Sequence, residues 1–241
     1  MTRISGGGLG RNPFGHVEAK RAPQTESLQK QVEGELFGKK KPVVVDDDSA
    51  EAEARLATLS AWVKKLARVA QQSAGDDVDD YSVRFAKDTI AMIDQRGVIY
   101  VGVSFLDAHP DFAAGGKDAS LVVGVLAHEV GHRPKRWAAY KAERPTSKED
   151  LEKLCRLEET RADYFCGRAL AAFGLDVEPV CRFLLALTDP KAKGAHEYFP
   201  APMRVDVIKE GHADGRRKDA QTRALFPELA KRQGKHDLGS G

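Results

Sequence analysis

Leu121-Val122-Val123-Gly124-Val125-Leu126-Ala127-His128-Glu129-Val130-Gly131-His132 is the stretch on which the reading of this chain turns. An apolar run passes without a break into the pattern H-E-x-x-H. The pattern predicts a helix from about Asp118 to His132, with Pro134 marking its end. On a helix, residues four apart share one face, so both imidazoles point at one metal ion. Glu129 borders the same pocket. Two His ligands beside a Glu placed to take a proton from water form the arrangement of a zinc hydrolase. Random placement of the 7 His and 16 Glu of this chain yields on the order of 0.01 such motifs, so coincidence is a poor account of it. The apolar run requires burial, and two His and a Glu on a buried helix need partners.

A zinc site of this kind takes a third protein ligand and leaves the fourth position to water. Downstream lies Leu157-Glu158-Glu159-Thr160-Arg161-Ala162-Asp163-Tyr164-Phe165. It follows a helix-start signal, Ser147 with Asp150 three residues on, and Gly174 is a natural stop. Glu159 and Asp163 are four apart and share a face. Glu159 is the expected third ligand, and Asp163 the acceptor for the second ring nitrogen of a ligand His. Glu158 is expected on a solvated acidic face. The expected cofactor is one Zn2+ per chain, held by His128, His132 and Glu159.

H-E-V-G-H followed by E-T-R-A-D resembles the gluzincin peptidases that include HtpX and the CAAX prenyl proteases, whose second motif is E-x-x-A-D. The resemblance covers about residues 50 to 210. Gly97-Val98-Ile99-Tyr100-Val101 resembles the strand that such enzymes place beside the substrate. Ala171-Ala172-Phe173-Gly174-Leu175-Asp176 resembles the segment after the ligand helix. Phe199-Pro200-Ala201-Pro202-Met203-Arg204-Val205 resembles the late His-Pro…Arg motif, and so implies a supporting place for Arg204 behind the metal ligands. Phe199 stands where that family has His, and the spacing from Pro to Arg is one residue short. His196 and Tyr198, just upstream, are the candidates for the hydrogen bond to the oxyanion. The interval from His132 to Glu159 is compact, which resembles instead the ImmA/IrrE-like regulatory peptidases.

At 41% hydrophobic residues the chain can build a core; its 31% charged residues are mixed, with a net charge of +2. No run of about 18 apolar residues occurs, so no transmembrane helix is expected. Met1 to Gly15 has no apolar h-region, which predicts a cytoplasmic protein and leaves open export by a specialised secretion machine. Cys155, Cys166 and Cys181 lack C-x-x-C spacing and are expected to be reduced core residues. Residues 1–42 carry eight basic and four acidic side chains and residues 209–241 eight and five. No aromatic interleaving accompanies these basic ends, so no nucleic-acid partner is expected.

Residues 1–42 lack apolar periodicity and read as a disordered N-terminal tail, with Phe14 and Phe37 as isolated apolar points. Asp46-Asp47-Asp48-Ser49 opens a helix in which Leu56, Leu59, Trp62, Val63, Leu66 and Val69 recur at helical spacing to about Gln72. Strands are expected at Tyr81–Phe85, Thr89–Ile93 and Gly97–Phe105, with Asp94-Gln95-Arg96-Gly97 as a turn. His109 follows in a loop. Residues 133–146 read as a polar, mobile rim. Further helices are expected at Glu178–Leu187 and from Pro202 to about Lys209, and an amphipathic patch at Leu225-Phe226 and Leu229.

The resulting expectation is an α+β fold, a mainly helical zincin-type domain over residues 43–212. A small mixed β-sheet offers an edge strand, near Val98, to the active-site cleft, and a basic tail occupies 213–241. The expected activity is zinc-dependent endopeptidase, with Glu129 as general base and a protein or peptide as substrate. Two alternatives stand beside it: a regulatory peptidase that cleaves a single partner, and a catalytically idle scaffold that binds peptides. An intact Glu129 speaks against the scaffold. Oligomeric state is left open.

Overall fold

The computed structural model describes residues 42–74, 80–135, 147–187 and 199–225. The fold is α+β, mainly helical, with a small mixed three-stranded sheet. Helix α1 spans Ala50–Ala74. The Ser49 hydroxyl caps it, accepting the Ala52 N–H at 3.2 Å, and the Asp47 carboxylate accepts the Ser49 N–H at 2.9 Å. Its apolar stripe buries Leu59, Trp62, Val63 and Leu66. Trp62 meets Phe173 edge to face at 5.5 Å.

Strands β1 (Ser82–Ala86), β2 (Ala91–Ile93) and β3 (Val98–Gly102) follow, in the order β1-β3-β2. β1 runs parallel to β3 and β2 antiparallel to it. The β2–β3 turn is made by Asp94, whose Oδ1 accepts the N–H groups of Arg96 and Val98, both at 2.9 Å. Gly97 there sits at φ 81°, and a Cβ would come within 2.3 Å of the Asp80 carbonyl oxygen, so only glycine fits. The outer edge of β1 is covered: Val45 donates to the Phe85 carbonyl at 3.0 Å and Lys87 to that of Val43 at 2.9 Å.

The strand at Val98 is therefore not an edge. β3 is the central strand, paired on both sides and buried from Ile99 to Gly102, as its continuous apolar sequence suits. The edge strand beside the site is β2. The third strand also ends sooner than expected: Phe105 belongs to a short helix, α2 (Val103–Ala108), which buries Phe105 and Leu106 against the core.

Helix α3 (Ala119–Gly131) carries the H-E-x-x-H residues and is buried on nearly every side. Helix α4 (Lys148–Ala172) starts at the Ser147 cap, whose hydroxyl accepts the Asp150 N–H at 3.1 Å, and Gly174 leaves it at φ 66°. Helix α5 spans Glu178–Leu187. Helix α6 runs Ala201–Leu225, well past the expected end near Lys209 and past the expected domain boundary at 212. Its glycines are contact points, not breaks. A Cβ on Gly211 would come within 2.2 Å of the Tyr164 carbonyl oxygen, and one on Gly167 within 1.9 Å of the Ile208 carbonyl oxygen. Tyr164 also donates to Asp214 at 2.7 Å.

Cys155, Cys166 and Cys181 are free and buried. No helix among the described residues is long and apolar enough to cross a membrane. Phe14, Phe37, most of the expected N-terminal tail, residues 136–146 of the expected rim, and the Phe226 and Leu229 patch lie outside the described residues.

Candidate metal centre

The centre is built where α3 crosses α4. Gly131 packs directly on Ala162; a Cβ there would meet the Ala162 Cα at 2.8 Å. This close approach sets the last turn of α3 against the middle of α4 and brings His128 and His132 onto Glu159. The two imidazoles stand edge to face, with ring centroids 4.8 Å apart. His128 Nε2 is 3.2 Å from His132 Nε2 and 3.4 Å from Glu159 Oε2, and His132 Nε2 is 3.7 Å from Glu159 Oε1. Donor atoms of all three lie within 4.8 Å of one another, so the group can hold a metal ion. The fit is close, since a tetrahedral ion with bonds of about 2.0–2.1 Å separates its ligand atoms by roughly 3.4 Å.

The supporting shell fixes this geometry. Asp163 Oδ1 lies 3.0 Å from His128 Nδ1, which leaves Nε2 to face the other donors. Arg204, from the first turn of α6, clamps Asp163 with two bonds: Nε donates to Oδ2 at 2.8 Å and a terminal nitrogen to Oδ1 at 2.9 Å. The same terminal nitrogen reaches Glu159 Oε2 at 3.3 Å. Asp163, Glu159 and His132 are buried, so this is a connected polar network inside the core.

Its charges are strongly perturbed. Burial alone would lower His128, but its hydrogen bonds to Asp163 and Glu159 and their negative charges outweigh it and raise the ring to about 10. Burial pushes His132 down to about 4, so that ring is neutral. Burial works against the Glu159 and Asp163 carboxylates, yet the histidines and Arg204 hold both below their ordinary values. Glu129 differs: burial raises it to about 7, with the Ile93 N–H as a backbone partner that opposes the rise. One carboxylate is thus kept ionised among the donors and its neighbour is poised near neutrality.

A cavity of about 400 Å³ opens onto His128, Glu129 and Arg204. Ile90 and Ala91, at the head of β2, form one wall, and Phe183, Leu184 and Leu187 of α5 form an apolar wall opposite. Residues alternate in facing the partner along an antiparallel ladder. Gly102 donates to the Ile90 carbonyl and Asp94 to the Val98 carbonyl, so Ala91 and Ile93 turn their backbone groups to the outer side of β2.

His196 and Tyr198, expected near the oxyanion, lie outside the described residues. His109 is not among the donors; its Nδ1 sits 2.8 Å from the Phe105 carbonyl oxygen at the end of α2. Glu158 is not solvated. It is 1% exposed and pairs with Arg161 at 3.2 Å, because the side of α4 away from the metal centre is also covered. The α5 wall escaped the sequence reading because Phe183 and Leu184 carry only an apolar signal, which a plain core would also give.

No protein-family model matches this sequence, and no curated protein matches it.

Proposed function

We propose that this chain is a zinc-dependent endopeptidase. The observation that supports it most is the convergence of His128 Nε2, His132 Nε2 and the Glu159 carboxylate, with a fourth group, Glu129, beside them but outside the donor set. Two imidazoles and one carboxylate suit zinc in a hydrolytic site, which keeps one coordination position open. Zinc held by these residues supplies Lewis acidity, acidifying water and polarising a carbonyl.

The chain's own groups do the rest. Glu129, with its carboxyl near 7, accepts the proton of the attacking water and passes it to the departing amine nitrogen. The Ile93 N–H keeps that carboxylate in place. Asp163 fixes the His128 ring and Arg204 fixes Asp163. An extended peptide adds to the open side of β2 through the backbone of Ala91 and runs past Glu129. The apolar α5 wall takes a side chain of the same peptide.

The test is hydrolysis of an unfolded protein by the zinc-loaded chain, with Glu129→Gln as control. Loss of hydrolysis with zinc retained supports the reading. Hydrolysis that persists in Glu129→Gln sinks the mechanism. A wild-type chain that holds zinc and cuts no unfolded protein leaves the single-partner peptidase in its place.

A further inference from the structure

His128 and His132 share one face of α3, but they are held in different ways. Asp163 fixes the His128 ring through Nδ1, at 3.0 Å. Among the described residues no carboxylate meets Nδ1 of His132, whose one acid contact is made through Nε2 to Glu159 at 3.7 Å. Where that ring stands therefore depends on the backbone beneath it. His132 is also the C-cap of α3. Its N–H donates to the Glu129 carbonyl, three residues back, at 3.2 Å, so the last turn is tightened.

The chain leaves the helix immediately afterwards: Arg133 sits at φ 46°, and Pro134 follows. In a continuing helix the Val130 carbonyl would accept the N–H of residue 134, and proline has none. The Tyr81 hydroxyl donates to that carbonyl at 3.1 Å, reaching across from the segment that opens β1. Tyr81 is in turn placed by the sheet. The Ser82 N–H donates to the Gly97 carbonyl at 3.1 Å, and the missing side chain of Gly97 lets the Asp80 carbonyl lie against it. One phenol thereby ties the β2–β3 turn to the end of the helix that carries both histidines.

We propose that Tyr81 is a positioning residue of the metal centre. By holding the Val130 carbonyl it fixes the last turn of α3, and so sets His132 against His128 and Glu159. This role rests on those three residues holding a metal ion, and not on the peptidase reaction. Val130 is fully buried, so its carbonyl would find no water in place of the phenol. A purely structural bond would therefore also cost stability when lost. What separates the two roles is the geometry of the metal ligands.

The experiment compares the full chain with its Tyr81→Phe variant, which keeps the ring and removes the oxygen. Zinc affinity is read by competition with a chromophoric chelator, and ligand geometry by the visible absorption bands of the cobalt(II)-loaded chain. The unfolding midpoint of the metal-free chain is measured beside them. The expected result is zinc affinity lowered about tenfold, the low end of what outer contacts of metal ligands carry, together with shifted cobalt bands. Unchanged zinc affinity or unchanged cobalt bands overturns the role, whatever happens to the midpoint. If Tyr81→Phe does not fold, Gly97→Ala serves. Its Cβ would come within 2.3 Å of the Asp80 carbonyl oxygen and so displaces Tyr81, and the same two changes are expected. A wild-type chain that takes up neither zinc nor cobalt overturns the metal centre itself, and the role of Tyr81 with it.

Discussion

Helix α4 is crossed twice, and the two crossings are built differently. Where α3 meets it, backbones touch at Gly131 and Ala162, and His128, His132, Glu159 and Asp163 fill the surrounding space. Where α6 meets it, the helices close on glycines: Gly167 and Gly211 lie against backbone, and Gly215 lies against the Ala171 methyl. The first crossing carries in its side chains the group that can hold a metal ion. The second positions Arg204 through an absence of side chains. Function at one depends on packing at the other, because Arg204 reaches Asp163 and Glu159 only if α6 lies close along α4.

The largest effect is expected at the first crossing. Glu129→Gln should lower peptide hydrolysis by roughly 10²–10⁴-fold and leave zinc content unchanged, as measured by turnover and metal analysis of one preparation. Loss of zinc in that variant would place Glu129 among the ligands and erase the division of labour between the two acids. At the second crossing, Gly211→Ala should reverse the usual rule. In an exposed helix that change adds about 1 kcal/mol of stability. Here the new Cβ meets the Tyr164 carbonyl oxygen at 2.2 Å, so α6 must move, and overpacking costs roughly 1–3 kcal/mol. Denaturant unfolding measures it. A gain in stability would mean the crossing is looser than described.

The same contrast explains what could be read in the sequence. The H-E-x-x-H helix, the Ser147 cap, the Gly174 stop and the α5 boundaries follow from local signals, and the structure has them. Glu159 and Asp163 were legible because helical spacing alone puts them on one face. The rest depended on tertiary partners. Gly211 and Gly215 look like helix breakers until a second helix needs their missing side chains. Val98–Val101 looks like a substrate strand, yet β1 and β2 take both its sides. Glu158 and Glu159 are neighbours of the same type, and nothing local tells that Arg161 holds the first and the histidines face the second.

Asp163 sharpens the comparison because it lies between the crossings, touching His128 from α3 and Arg204 from α6. Asp163→Ala frees the His128 ring and leaves Arg204 without its main partner. Zinc affinity should fall roughly 10- to 100-fold, read by competition with a chromophoric chelator. Arg204→Met tests the link from the other side. It should weaken zinc binding in the same direction but less, since Asp163 still holds the ring. Unchanged affinity in both variants would mean that the α6 crossing serves stability alone.

The smallest expected effect is a single proton. In the metal-free chain Asp163 and Glu159 raise His128 to about 10, so at pH 7 that ring is charged and its Nε2 carries a proton. A zinc ligand must be neutral imidazole, so binding expels that proton. His132, pushed down to about 4, is already neutral at pH 7 and releases none. The two histidines together should therefore release about one proton at pH 7. Above about pH 10 the His128 contribution vanishes, and as pH falls through about 4 His132 adds a second proton and zinc affinity drops more steeply. Titration calorimetry in buffers of different ionisation enthalpy counts the protons. Asp163→Asn removes one of the two carboxylates that hold the charge on His128, so its count at pH 7 to 9 should fall below that of the wild type. An equal count in the variant would show that Asp163 positions the ring without setting its charge, and the two crossings would then be coupled through geometry alone.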